Sequence, residues 1–162
     1  MSSRSLRAVT IERERSREAS SATTCSCSFA SGFSSSRSRA SLRSAASRGA
    51  DGVIARSPVY FGTMAAELKE VFEKCIGVRK RMEGKIGATF ATSGDPSGGK
   101  ETTLMSIIQA LLIYGMIVVG DPLDATGHYG VSCVGSPDKD TQFNAALLGK
   151  RVASLVKRLR SD

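Results

Sequence analysis

Two stretches of this chain combine residue types suited to holding a ligand: Ser57-Pro58-Val59-Tyr60-Phe61-Gly62-Thr63-Met64 and Thr92-Ser93-Gly94-Asp95-Pro96-Ser97-Gly98-Gly99. Each follows a short apolar run, Val53-Ile54-Ala55 or Gly87-Ala88-Thr89-Phe90-Ala91, and each leads into a helical pattern. Loops at the carboxyl ends of consecutive strands are where open α/β sheets bind ligands. The second stretch has a rival interpretation, because Gly94-x-x-x-x-Gly99-Lys100 follows most of a phosphate-binding P-loop. That loop needs Ser or Thr directly after the lysine to hold Mg²⁺. Glu101 stands there instead and Thr102 comes one residue late, so a carboxylate would face a triphosphate and repel it. Nucleotide hydrolysis is disfavoured.

Other reactive side chains are few. His128 is the single histidine, and it is either a solvated loop residue or a substrate contact beside Tyr129-Gly130. The four cysteines are Cys25, Cys27, Cys75 and Cys133, and Cys25-x-Cys27 has the wrong spacing for a redox or zinc pair. Cys75 falls on the apolar face of a helix, where a thiol behaves as a small hydrophobe. No metal site and no disulfide scaffold are expected, and a reducing cytosol is the simplest compartment.

The elements that must position the two loops follow from periodicity. Val53–Ala55 predicts a buried strand. Met64, Leu68, Val71, Phe72 and Cys75 recur at helical spacing, with Thr63 as N-cap and Gly77 as stop. A charged link, Arg79-Lys80-Arg81-Met82-Glu83, leads to a second strand over Lys85 to Thr92. A second helix is predicted from Lys100 to Tyr114, ended by Gly115, and then a third strand at Met116-Ile117-Val118-Val119. The segment Gly120 to Pro137 is a long loop, and loops of that length are usually functional or mobile. A last helix should bury Phe143, Leu147, Leu148, Val152, Leu155, Val156 and Leu159. Strands alternating with helices imply an α/β domain, a parallel sheet with right-handed crossovers and helices on both faces. Three strands are few for such a sheet.

Composition divides the chain near residue 50. Residues 1–50 contain nine Arg, no Lys, three acids (Glu12, Glu14, Glu18) and sixteen Ser, whereas the remainder is nearly neutral. The net charge of +8 therefore belongs mainly to the front. Its arginines are scattered among serines without the aromatic interleaving of a nucleic-acid face, so no nucleic-acid partner is expected. Residues 1–49 hold too little apolar surface to offset the entropy of ordering, and we expect a disordered Ser/Arg-rich leader ahead of a folded unit at 50–162. An Arg- and Ser-rich, Lys-free leader fits an organellar transit peptide, but the three glutamates do not. The change of residue usage at about Gly49 also fits a non-native start produced by a frame error, the reading we favour; the expected location is then cytoplasmic. No stretch reaches the ~18 apolar residues of a membrane span. The longest apolar region, Ile107 to Val119, is broken by Gln109, Tyr114 and Gly115.

Five blocks, taken in order, carry a family resemblance. They are Ala50-Asp51-Gly52-Val53-Ile54, Ser57 through Ala66, Thr92-Ser93-Gly94 with Gly98-Gly99-Lys100-Glu101-Thr102, Gly115 through Val119, and Tyr129-Gly130. Residues from about 50 to 160 resemble the carboxyl-terminal two thirds of the flavodoxin fold, and more narrowly the NAD(P)H:quinone oxidoreductases of the tryptophan-repressor-binding-protein (WrbA) type. The resemblance implies FMN as cofactor, with Ser57, Pro58, Val59, Tyr60, Phe61 and Gly62 along the flavin ring. It places Thr92, Ser93, Gly94, Asp95, Ser97, Gly98 and Gly99 at the ring's polar edge, where backbone N–H groups stabilise negative charge. Tyr114 occupies a position where many relatives carry His near the flavin. No side chain is required as an acid or base, so no catalytic residue is named. The implied activity passes hydride from NAD(P)H to a quinone-like acceptor, and the Arg79-Lys80-Arg81 link is either solvated or an attraction for the NAD(P)H phosphate. A homo-oligomer, dimer or tetramer, is implied in the same way.

Against the family pattern, nothing in residues 1–50 matches its first two strands or its Ser/Thr/Gly phosphate loop. Ala8-Val9-Thr10-Ile11 has strand character, but Arg13-Glu14-Arg15 follows it. FMN binding is accordingly expected to be weak or absent, and the strand at Val53 to have an open, aggregation-prone edge. The alternative function is a truncated, cofactor-free flavodoxin-like module that acts only through protein interaction or is inactive.

Overall fold

The computed structural model describes residues 9–11 and 50–160. Val9–Ile11, inside the expected disordered leader, is strand; the rest of that leader, and with it the transit-peptide and non-native-start readings, falls outside the described residues. In chain order the elements are β1 (Val9–Ile11), β2 (Gly52–Tyr60), β3 (Thr63–Met64) and α1 (Ala66–Lys74). A 3₁₀ turn (Ile76–Val78), α2 (Arg79–Met82), β4 (Ile86–Ser93) and α3 (Lys100–Ile113) follow, and then β5 (Ile117–Val118), β6 (Val131–Val134) and α4 (Lys139–Arg160).

The centre of the sheet is the parallel pair β2 and β4, in register from Gly52↔Ile86 to Pro58↔Thr92. Strand alternation sends successive side chains to opposite faces. Val53 and Ala55 enter a core with Leu68, Val71, Phe72, Met82, Ile107 and Leu111 from α1, α2 and α3. On the other face Ile86, Ala88 and Val131 pack under Leu148 and Val152 of α4. Full burial of a Val or Leu side chain contributes roughly 1.5–3 kcal/mol, so these few contacts seat the long helix. Asp138 fixes where that helix begins: its carboxylate accepts the Thr141 N–H at 2.7 Å. Among the described residues no helix is long and apolar enough to cross a membrane.

Several expectations are corrected by the structure. Ser57 to Tyr60 is strand, not loop, because β2 runs on to pair with β4 through Pro58 and then turns back at Phe61–Gly62 into β3. Thr63 is used by that hairpin opposite Tyr60, so the helix is entered from Ala65, whose N–H is held by Ser57 Oγ at 2.8 Å. The helix ends at Lys74, ahead of Gly77, because Cys75 leaves the helical conformation and a 3₁₀ turn follows. Gly120 to Pro137 is not wholly loop, since it contains β6. Phe143 and Leu159, expected in the core, are 59% and 51% exposed, because α4 is longer than the sheet beneath it. The edge at Val53 is not open: β1 pairs with it antiparallel, Thr10 opposite Val53.

The outer sheet edge has an unusual form. β5 and β6 both pair parallel with β4, β5 against Ile86–Gly87 and β6 against Phe90–Ser93. While β4 advances from Gly87 to Phe90, the edge strand advances from Val118 to Val131. It is one strand line interrupted by the loop 119–130.

Candidate functional site

The parallel strands β2 and β4 end side by side, and the segments leaving them bound a cleft of about 500 Å³. Val59, Phe61 and Gly62 line one wall; Ser93, Gly94, Asp95, Ser97, Gly98 and Gly99 line the other. Nine of the fourteen residues expected to hold a cofactor are therefore brought together.

The second wall is an internally braced loop. Ser93 Oγ donates to the Asp95 carbonyl at 2.7 Å, Ser97 N–H to Asp95 Oδ1 at 2.8 Å, and Gly98 N–H to the Asp95 carbonyl at 3.1 Å. Asp95 and Ser97 thus spend part of their polarity on the loop itself, as Asx turns do. Lys100 Nζ donates to the Pro96 carbonyl at 2.7 Å, and Gly135 N–H to the Ser93 carbonyl at 2.7 Å, which ties the exit of β6 to the same loop. Gly99 precedes α3 at φ 74°. A Cβ there would lie 3.0 Å from Gly62 Cα and 3.0 Å from Thr102 Oγ1, so the two walls touch through backbone.

Phe61 is the most distinctive residue of the first wall. It is the only non-glycine residue at positive φ among those described (51°), and its side chain is fully exposed at the cleft (108%). The ring is left without packing, on a backbone conformation that costs energy.

The other expected site residues go elsewhere. Ser57 is buried, with Oγ accepting Ala65 N–H and donating to the Pro58 carbonyl at 2.7 Å, so it builds the wall from behind. Pro58 and Thr92 face each other in the ladder. Tyr60 lines a neighbouring groove between α1 and α3, which Phe61 borders as well. Tyr114 lies at the opposite end of α3 from the cleft, 2% exposed, donating from its hydroxyl to the Phe72 carbonyl at 2.6 Å. Its ring stands 5.8 Å from that of Phe72, and burial, with Cys75 adding to it, pushes its pKa up to about 12. This tyrosine is a core residue, not brought to the cleft.

Two contributors escaped sequence reasoning. Thr102 Oγ1 lies 2.6 Å from the Gly62 carbonyl and 3.0 Å from that of Gly99. Its proximity to the P-loop-like pattern drew attention to a metal role and away from a neighbour 40 residues distant. Asp121, 3% exposed, organises the interrupting loop. Its Oδ2 accepts from Thr126 N–H (3.0 Å), the Thr126 hydroxyl and Gly127 N–H (2.9 Å), and its Oδ1 accepts His128 N–H at 2.9 Å. Burial opposes ionisation, but the hydrogen bonds from Thr126 and His128 outweigh it and hold the carboxyl below its usual range. Arg151 Nη1 of α4 reaches the Asp121 carbonyl at 3.0 Å, and Thr89 Oγ1 donates to the Tyr129 carbonyl at 2.9 Å. Gly130 passes so close to Thr89 that a Cβ would overlap its hydroxyl and carbonyl. The signal available in sequence was Asp121-Pro122, a turn opener, with Gly127 following. The loop leaves His128 and Tyr129 exposed at the sheet edge.

A mostly parallel sheet between helix layers, with a glycine-rich cleft across two strand ends, defines a flavodoxin-like α/β protein. The fold of a WrbA-like flavodoxin from Agrobacterium tumefaciens superposes on it with a TM-score of 0.63, at 20% identity, covering 72% of this chain and 71% of that one. The chain belongs to the NADPH-dependent FMN reductase family, whose pattern it matches over residues 17–129. It is 38% identical over 116 residues to an NAD(P)H dehydrogenase (quinone) of Archaeoglobus fulgidus, covering 67% of this chain and 61% of the relative. It is also 40% identical over 119 residues to an iron–sulfur flavoprotein of Methanocaldococcus jannaschii, covering 68% of this chain and 61% of the relative. The chain thus spans about three fifths of the length of these curated relatives.

Proposed function

We propose that the cleft between Phe61–Gly62 and Ser93–Gly99 holds the isoalloxazine end of FMN, and that the protein is an oxidoreductase passing hydride from NAD(P)H to a quinone-like acceptor. The observation that carries this reading is the pairing of an unpacked aromatic with a side-chain-free backbone edge in one cleft. Phe61 offers an apolar face for stacking. Gly98 lets the second wall fold tightly on itself, since a Cβ there would fall 2.8 Å from the Asp95 carbonyl, and Gly99 lets the two walls meet at Gly62. The residues present therefore fit the ring, while the phosphate is assigned to no described residue. When bound, FMN would supply the hydride chemistry; the protein binds, orients and shields it. Membership of an FMN reductase family and the relative named as a quinone dehydrogenase support the donor and acceptor classes. A reducing cytoplasm suits the buried Cys75 and Cys133, which form no disulfide among the described residues. Self-association belongs to the same reading, supported by Met105, Leu112 and Ile113 exposed on α3.

Titrating the whole chain into FMN and following flavin fluorescence tests the proposal. Saturable but weak quenching is expected, since no described residue is assigned the phosphate, and no quenching at about 100 μM protein would leave the cofactor-free module as the better reading. Phe61→Ala is expected to weaken FMN about tenfold, or roughly 1.4 kcal/mol, a typical contribution of an aromatic stack. An unchanged Kd in that variant would remove Phe61 from the site.

A further inference from the structure

We infer that Thr102 is a positioning residue: its hydroxyl latches the Phe61–Gly62 turn to the first turn of α3 and so fixes where Phe61 stands over the cleft. The consequence for FMN rests on the proposed function above, whereas the latch itself does not. Because the side chain of Phe61 is fully exposed, no packing holds the ring, and its position follows from its backbone. That backbone belongs to a short hairpin with only two residue pairs, Val59↔Met64 and Tyr60↔Thr63, and Phe61 sits within it at an uncommon positive φ. Something outside the hairpin must hold the turn.

Thr102 is the group in place to do so. Its hydroxyl carries one proton and has two carbonyls in reach, Gly62 at 2.6 Å and Gly99 at 3.0 Å. The shorter bond crosses from helix to hairpin and the longer stays within the helix start. Gly99 reinforces the register, since its Cα face lies against Gly62. A second tie lies behind the turn, where Met64 N–H donates to Ser106 Oγ at 3.1 Å, one helical turn beyond Thr102. Thr102 itself is exposed, so removing its hydroxyl opens no void in the core.

The chain contains no tryptophan, which makes the latch directly observable. Phe61→Trp places a single fluorophore on the turn, and its anisotropy without FMN reports how firmly the turn is held. In that background Thr102→Val is expected to lower the anisotropy and to weaken FMN about fivefold, the effect of one net hydrogen bond. Thr102→Ser, which keeps the hydroxyl, is expected to restore both, and far-ultraviolet circular dichroism confirms that α3 is intact in each. Unchanged anisotropy in the valine variant, or a serine variant that behaves like valine, would overturn the latch. Lower anisotropy with unchanged FMN affinity would overturn the positioning role. Lower anisotropy in a protein that binds no FMN in any form would uphold the latch and overturn the cofactor reading.

Discussion

Gly99→Ala is expected to raise the Kd for FMN about a hundredfold and to lower stability by about 2 kcal/mol. Gly99 stands at φ 74°, a left-handed conformation that costs an L-residue roughly 1–2 kcal/mol. The added Cβ would also press to 3.0 Å from Gly62 Cα, and the atom it meets is backbone. The cheapest escape is for the Phe61–Gly62 turn to move away, which stretches the Thr102 bond and opens the cleft between its walls. Stability and affinity therefore fall together, affinity further, because the turn that moves is the ligand-facing one. Urea unfolding and flavin titration of the same preparation give both numbers. A Kd within threefold of the unaltered chain would show that the contact between the two walls does not shape the site.

Asp121→Ala is expected to cost about 3 kcal/mol in stability and to flatten the acid limb of the stability profile. The change deletes a buried acceptor and leaves the N–H groups of Thr126, Gly127 and His128 without it. In the unaltered protein the Asp121 pKa is depressed by folding. Its contribution is thus complete above the unfolded carboxylate value of about 3.9 and disappears as pH falls through the lower folded value. The alanine variant lacks that loss, so the two stability curves converge on acidification. Denaturant midpoints taken from pH 7 down to pH 2 check this. Parallel curves would mean that folding does not depress the Asp121 pKa. FMN affinity should change little, since Asp121 is not among the residues lining the cleft.

The fold was legible where apolar periodicity was strong and local. Val53–Ala55, Leu68–Val71–Phe72 and Leu104–Ile107–Leu111 declared the strand and helices that form one core. Most of the cleft was legible as well, because glycines between a strand and a helix mark a tight loop, and at Gly98 and Gly99 the backbone is in fact closely approached. What sequence could not supply was long-range geometry. Pro58 suggested a strand end, yet it sits in the parallel ladder opposite Thr92. Tyr114 was placed by analogy to a histidine and is instead sequestered against Phe72, since a tyrosine hydroxyl can satisfy a buried carbonyl within the core. Val131–Val134 was lost because four residues bracketed by glycines give too short an alternation to register as a strand. Phe143 and Leu159 match the helical period of α4, but periodicity cannot say how far the underlying sheet extends.

The interruption of the edge strand bears on how such a protein diversifies. Both halves keep their own register on β4, so the residues between Val118 and Val131 are not counted by the sheet. Doubling the length of a flexible loop costs only about 0.6 kcal/mol. The sheet edge is therefore an open reading position, where segments of different length and chemistry can be exchanged while Ser93, Gly99 and Phe61 stay where they are. Asp121 and Arg151 then act as fasteners for the particular insert carried here, giving it one shape and presenting His128 and Tyr129 as its surface.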